Sequence, residues 1–351
     1  RSTMSDTTTM QTVTATDLKH EIRDNMRIGL NTMIWGGPGI GKSEIPQQVA
    51  DELNIPLLDF RANLFDPVDV RGIPYTRDDL SVASGAMKIT SWAPPDIFPS
   101  EETHGPRGLF MIDELPTAPP ATQNAFLQLL LTRQVGDYKM PDGWSCLAAG
   151  NRLTDGASVY QMPSPVRNRL MHYELEPSLD AWCEWALKNE VNTTLVSFMR
   201  YRPNLLYSFK ADEYAFPTPR SWSFVDKRLR LTKNMDDSRL FFGIAGAVGT
   251  GPAGEFLAFA KIADKLPDID NLIANPSSYM PSEDPAVLYA LTGAVASRAK
   301  ESTLENIMKL GKKIPTEFQV VLVKSILAID KALFNQPTIQ DWVRVNADVV
   351  L

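Results

Sequence analysis

The sequence predicts an α/β fold: a parallel sheet sandwiched by helices, followed by an all-helical region. Three observations predict it. Residues 36–43 read Gly-Gly-Pro-Gly-Ile-Gly-Lys-Ser, between a short apolar run at 31–35 and Ile45, Val49 and Leu53 at helical spacing. Further apolar runs at 56–60, 109–112, 145–149 and 170–175 alternate with helical stretches, as strands buried on both faces do. After Glu176 no strand pattern remains; Trp182, Trp185 and Ala186 open a helical region.

In chain order, Arg1, Ser2 and Thr3 precede Met4 and read as tag-derived, and residues 1–14 as a whole are expected to be disordered. A first helix is expected over 15–30, with Thr16 or Asp17 near its cap and Leu18, Ile22 and Met26 on one face. The glycine-rich loop and its helix follow, then a strand at 56–60. Residues 64–108 are irregular, with a hairpin expected around 75–92; so long a stretch inside a domain usually has a function. The run 109–112 ends at Asp113 and Glu114. A helix at 121–132 and a hairpin over 135–144, turning at Pro141, Asp142 and Gly143, come next. The strand 145–149 ends at Gly150 and Asn151. A short helix at 163–169 precedes the strand 170–175. Residues 266–267 and 276–285 read as linkers, and helices at 285–298, 303–310 and 318–334 as a terminal bundle. The expected domains are 15–175, 176–265 and 266–351.

Composition narrows the function. Hydrophobic content is 44%, ordinary for a globular chain, and no run is long enough to span a membrane. No signal peptide is recognised. Cys146 and Cys183 sit in apolar runs without a CxxC pattern, which predicts buried free thiols in a reducing cytoplasm. His20, His104 and His172 lack ligand spacing, which argues against a zinc site. With 42 acidic against 35 basic residues, the chain is a poor general nucleic-acid binder. The basic clusters at 227–230 and 309–313 read as solvated helix faces.

Glycines let backbone N–H groups close on phosphate oxygens, and a helix start adds a positive dipole end. Gly37, Pro38, Gly39, Ile40, Gly41, Lys42, Ser43 and Glu44 are therefore the candidate triphosphate cradle, with Lys42 on the terminal phosphates and Ser43 on Mg²⁺. Asp113 is the second candidate for the Mg²⁺ shell, and Glu114 is placed to polarise the attacking water. Asn151 suits either a γ-phosphate contact or a turn. Arg167 and Arg169 are either a surface pair or a source of charge for a neighbouring subunit's transition state. Arg220 opens a helix and either touches the nucleotide or does not. In open parallel sheets ligands sit at the carboxyl ends of strands, so the loop, the acidic pair and Asn151 are expected on one edge.

These elements in this order resemble the AAA+ ATPases, and within them the MoxR group. The resemblance covers roughly residues 15–260 and is most specific at 113–128, Asp-Glu-Leu-Pro-Thr-Ala-Pro-Pro-Ala-Thr-Gln-Asn-Ala-Phe-Leu-Gln. Residues 134–136, 66–72, 156–170 and 218–221 are similar to further family segments. The resemblance implies a P-loop AAA+ domain, a helical lid over 176–265 and a C-terminal extension. Lys42 and Ser43 fall on the first nucleotide motif, Asp113 and Glu114 on the second, Asn151 on sensor 1 and Arg220 on sensor 2. Arg169 falls on the trans-acting arginine finger. The family's Asp-Arg-Phe stands here as Asn168, Arg169 and Leu170, so Arg167 competes for the role. The implied activity is hydrolysis of ATP with Mg²⁺ in a homo-oligomeric, hexameric ring. The implied work is chaperone-like remodelling of a protein partner, such as a metalloenzyme or a von Willebrand A domain protein. A DNA-acting motor and an ATP-dependent scaffold with little turnover are the alternatives. Arg77 and Lys88 set against Asp78 and Asp79 give the 76–92 segment too little positive charge for the motor.

Overall fold

Five of the apolar runs become strands of one six-stranded sheet in the computed structural model, which describes residues 10–79, 87–152, 155, 159–231 and 238–346. The chain divides at Glu176 into two units. The first holds β1 (Gln11–Val13), α1 (Ala15–Ile28), β2 (Thr32–Trp35), α2 (Glu44–Leu53), β3 (Leu57–Arg61), α3 (Pro67–Arg71), β4 (Ile73–Asp79), β5 (Met87–Ala93), α4 (Glu101–His104), β6 (Arg107–Asp113), α5 (Pro120–Thr132), β7 (Gln134–Val135), β8 (Tyr138–Lys139), β9 (Gly143–Gly150), α6 (Ser164–Arg167) and β10 (Met171–Leu175). The sheet order is β1-β10-β2-β9-β6-β3, and every pairing is parallel. Helices cover both faces, which is why β6 and β9 are buried along nearly their whole length. On the α5–α6 face, Phe60, Phe98, Phe110 and Phe126 form one aromatic cluster. Trp144 lies flat over Gly108, where a Cβ would come within 2.5 Å of its ring.

Several sequence expectations shift. Residues 11–13, expected to be disordered, form the edge strand β1, which draws its register from β10 rather than from an apolar pattern of its own. Residues 1–9 lie outside the described residues. The first helix is capped by Thr14, not Thr16 or Asp17: Thr14 and Asp17 make a reciprocal capping box. It ends at Ile28 because Gly29 takes φ 72°, the left-handed cap. The hairpin near 135–144 turns at Gly136 and Asp137, with Val135 opposite Tyr138. Gly136 supplies the positive φ of 55° such a tight turn requires. Pro141 to Gly143 instead bend the chain into β9. The 64–108 stretch carries α3, α4 and the expected hairpin as β4 and β5; the hairpin tip at 80–86 lies outside the described residues, as do 156–158 of the Gly-Ala-Ser segment.

The second unit is helical throughout its described residues: α7 (Leu179–Lys188), α8 (Thr193–Tyr201), α9 (Pro219–Leu231), α10 (Ser238–Val248), α11 (Thr250–Ala263), α12 (Ile269–Ala274), α13 (Pro285–Ala296), α14 (Glu301–Gly311), α15 (Thr316–Ile329) and α16 (Pro337–Val345). It has two apolar cores, and α13 feeds both: Ala286 and Ala290 into one, Leu288, Leu291 and Val295 into the other. The expected linker at 276–285 buries Tyr279 in the second core. The helix expected over 318–334 stops at Ile329, where Asp330 caps a separate 3-10 turn with its carboxylate.

Candidate functional site

Because all six strands run the same way, their carboxyl ends share one edge. The glycine loop leaves β2 there, Asp113 and Glu114 leave β6, and Asn151 leaves β9. Gly39 at φ 73° and Gly41 at φ 112° take conformations that L side chains rarely adopt, which lets the loop curl tightly ahead of α2. Gly36 donates its N–H to Gly150 O at 3.3 Å, fixing the loop to the end of β9. Ile40 packs over Gly36, while Glu44 is exposed in the first turn of α2.

Side chains join these strand ends directly. Lys42, only 8% exposed, donates from Nζ to Gly36 O and Gly37 O at 2.9 Å each and to Asn151 Oδ1 at 2.7 Å. Ser43 stands at the N-cap of α2 but makes no side-chain capping bond; its hydroxyl donates to Asp113 Oδ2 at 2.9 Å. Asp113 Oδ1 accepts the Glu114 N–H at 2.9 Å, so this carboxylate is oriented by contacts on both oxygens. Glu114 itself sits at φ 55°, ψ 29°, in the left-handed region. For a residue with a side chain this costs about 1–2 kcal/mol, and such strain concentrates at functional positions. Thr117 holds the turn by donating to Glu114 O at 2.8 Å, with Glu114 Oε2 3.4 Å away. Pro116 packs against Gly150, where a Cβ would approach it to 2.3 Å, so the acidic turn and the end of β9 are in contact.

The structure thus brings together the loop, Lys42, Ser43, Asp113, Glu114 and Asn151. It does not bring Arg167 and Arg169 to that edge. They precede the amino end of β10, and the register pairs Met171 with Thr32, the first residue of β2. Roughly 13 Å of strand therefore separates their level from Gly36. Arg167 is exposed; Arg169 is half-buried, with its Nε enclosed and without a hydrogen-bond partner. Arg220 lies in the other unit, exposed in the first turn of α9, beside the Thr218–Ser221 box that starts that helix.

Sequence reasoning missed three groups. Asp59 is a carboxylate inside an apolar strand, and that interruption was its signal. Burial raises its pKa above the usual carboxylate range and the charge of Asp113 raises it further, against the pull of Arg61. Where the native state keeps a proton that the unfolded chain has released, stability falls as pH rises. Asp59→Asn should therefore raise the urea midpoint at pH 7 and flatten its fall as pH rises above the ordinary carboxylate range; an unchanged profile would refute this reading. Arg152, next to Asn151, is the second group. It binds Asp155 at 2.8 Å and also Glu174 of β10, and these partners hold its pKa above the usual arginine value. The third is Asn31, Trp35 and His172, which tie β2 to the arginine segment. The long-range bonds of the second and third groups leave no sequence pattern, since Arg152 and Glu174 are 22 residues apart and Asn31 and Arg169 138. Cys146 is inert by contrast: burial pushes its thiol up to about 12.

No protein-family model matches the chain, and no curated protein matches it. Among solved structures, NtrX from Brucella abortus in complex with ADP is similar over 96% of this chain and 68% of its own, at 14% identity and a TM-score of 0.39. The same protein in complex with ATP matches over 98% and 70%, at 14% and 0.40. The Thermotoga maritima RuvB Holliday junction branch migration motor matches over 83% of each chain, at 15% and 0.34. Likeness this distant carries no activity or substrate across. The decisive observation is the parallel sheet with loop strand β2 between β10 and β9, acidic strand β6 beyond, and a helical unit after it. The chain has an α/β fold, a parallel sheet flanked by helices with a helical unit after it. Among the described residues, no helix is long and apolar enough to cross a membrane.

Proposed function

We propose that this chain is an ATPase that hydrolyses ATP at the β2–β9–β6 edge and couples turnover to remodelling of a protein partner. The observation that carries the reading is the pair of direct bonds between strand ends, Lys42 to Asn151 and Ser43 to Asp113. The donor set fits a magnesium-bound triphosphate. A buried ammonium, a hydroxyl beside an oriented carboxylate, and a loop with two glycines in the left-handed region are what phosphate oxygens and a hard cation require. Lys42 would hold the terminal phosphates, exchanging its loop carbonyls for them. Ser43 and Asp113 would hold Mg²⁺, which supplies charge neutralisation on the β- and γ-oxygens. Glu114 takes the proton of the attacking water, and Asn151 orients that water or the γ-phosphate. Arg169, from an adjacent protomer, stabilises the charge that develops on the phosphoryl oxygens. The placement of both arginines at the opposite end of the sheet from their own loop supports action in trans, and the unpartnered Nε of Arg169 favours it over exposed Arg167.

The resemblance to the MoxR group extends the proposal. The protein works as a cytoplasmic, hexameric ring with residues 176–265 as lid and 266–351 as extension. Arg220 reports the nucleotide state to the lid, and the partner is a metalloenzyme or a von Willebrand A domain protein. Loss of the Lys42 ammonium should remove charge-assisted bonds worth about 1.5–3 kcal/mol each, so Lys42→Ala should bind ATP about a hundredfold or more weakly by calorimetry. Undiminished binding would overturn the site. Stimulation of the wild-type ATPase by DNA, rather than by a protein partner, would replace remodelling with the motor reading.

A further inference from the structure

We propose that His172 is a positioning residue: it ties the nucleotide-loop strand of one protomer to the arginine which that protomer donates to its neighbour. This rests on the trans arginine role proposed above. Trp35 is the last residue of β2, directly before Gly36. Its indole N–H donates to His172 Nδ1 at 2.9 Å, and the two rings stack at 6.1 Å between centroids and 20° between planes. His172 Nε2 lies 2.8 Å from Arg167 O. A carbonyl only accepts, so Nε2 carries the hydrogen, which leaves Nδ1 as the acceptor that Trp35 needs. A single neutral tautomer satisfies both bonds.

Arg167 O also accepts Leu170 N–H at 3.3 Å, closing the turn that presents Arg169. At the other end of β2, Asn31 Nδ2 donates to Arg169 O at 3.3 Å and to Leu130 O at 2.9 Å, while Asn31 O accepts Met171 N–H at 2.8 Å. The arginine segment is therefore fixed to both ends of the strand that carries the nucleotide loop. Val166 and Leu170 anchor it in the core on either side. A shift of Trp35 as the loop closes on phosphate reaches the carbonyl of Arg167 through one imidazole. The loop's own bonds, Gly36 to Gly150 and Lys42 to Asn151, do not involve His172. Losing the imidazole should therefore be felt at the neighbour's site and not at its own.

Mixed oligomers read this directly. Protomers with Arg169→Ala keep an intact nucleotide edge but donate no arginine; protomers with Glu114→Gln donate an arginine but cannot turn over. Activity in the mixture arises where the second serves the first. His172→Phe keeps the ring stack and removes both hydrogen bonds. Placed in the Glu114→Gln protomer, it should lower the mixture's kcat about tenfold with KM for ATP unchanged. Placed in the Arg169→Ala protomer, it should leave both constants within twofold. Trp35→Phe in the Glu114→Gln protomer should lower kcat in the same direction, and it decides the matter if His172→Phe does not assemble. Equal loss from either placement, or loss only in the nucleotide-holding protomer, would overturn the proposal. Normal hydrolysis by Arg169→Ala alone would sink the arginine assignment, and the role of His172 with it.

Discussion

Arg169→Ala should assemble like the wild type and lose about 10³–10⁵-fold in kcat, the range over which a donated arginine acts in phosphoryl transfer. The charge it offsets exists only in the transition state, so ATP affinity should change little, and the loss should fall on kcat rather than KM. Within the first unit, Arg169 lies away from its own chain's loop. The loop leaves the carboxyl end of β2 while Arg169 enters at the amino end of β10. Its backbone is held by Asn31, whereas its guanidinium Nε has no partner among the described residues. Single-turnover ATPase measurements on assembled protein test this. If Arg167→Ala is the variant that loses turnover while Arg169→Ala hydrolyses normally, the exposed arginine holds the role instead.

Glu114→Gln should bind ATP and hold an assembled state, yet turn over about 10²–10⁴-fold more slowly, the usual worth of a positioned general base. The amide is isosteric, so the left-handed backbone at 114 and the Thr117 bond to its carbonyl should persist, and Lys42, Ser43 and Asp113 are untouched by the change. The expected signature is stoichiometric bound ATP after gel filtration with no phosphate released over many wild-type turnovers. Wild-type phosphate release by this variant would show that Glu114 takes no part in the chemistry. The proteins retained on this trapped state would identify the partner.

The clustering of the candidate site at one sheet edge was legible because its residues are local in sequence. Eight consecutive residues make the loop, two make the acidic pair, and each group ends an apolar run. The buried strands β6 and β9 were legible for the same reason, as runs without polar alternation. What escaped is non-local. The edge strand β1 has three residues and a single buried side chain, Val13, so its pairing with β10 is visible only when both are folded. The turn near 136 was misplaced because a Pro-Asp-Gly sequence is a strong turn signal in isolation; here it bends the chain into β9, and the two-residue Gly-Asp turn closes the hairpin. Asp59 interrupts an apolar strand visibly, but only the fold brings the charge of Asp113 to bear on it. His172, set aside for lacking ligand spacing, bonds to a tryptophan 137 residues away.

The backbone at Glu114 has a bearing on how this protein can be improved or can decay. Glycine is the one residue that would sit at φ 55° without steric penalty, and it is also one that deletes the carboxylate. Selection for heat tolerance alone would favour loss of the carboxylate at this position. Persistence of an acid there through rounds of stabilising mutation would signal that the carboxylate, not the fold, was being kept.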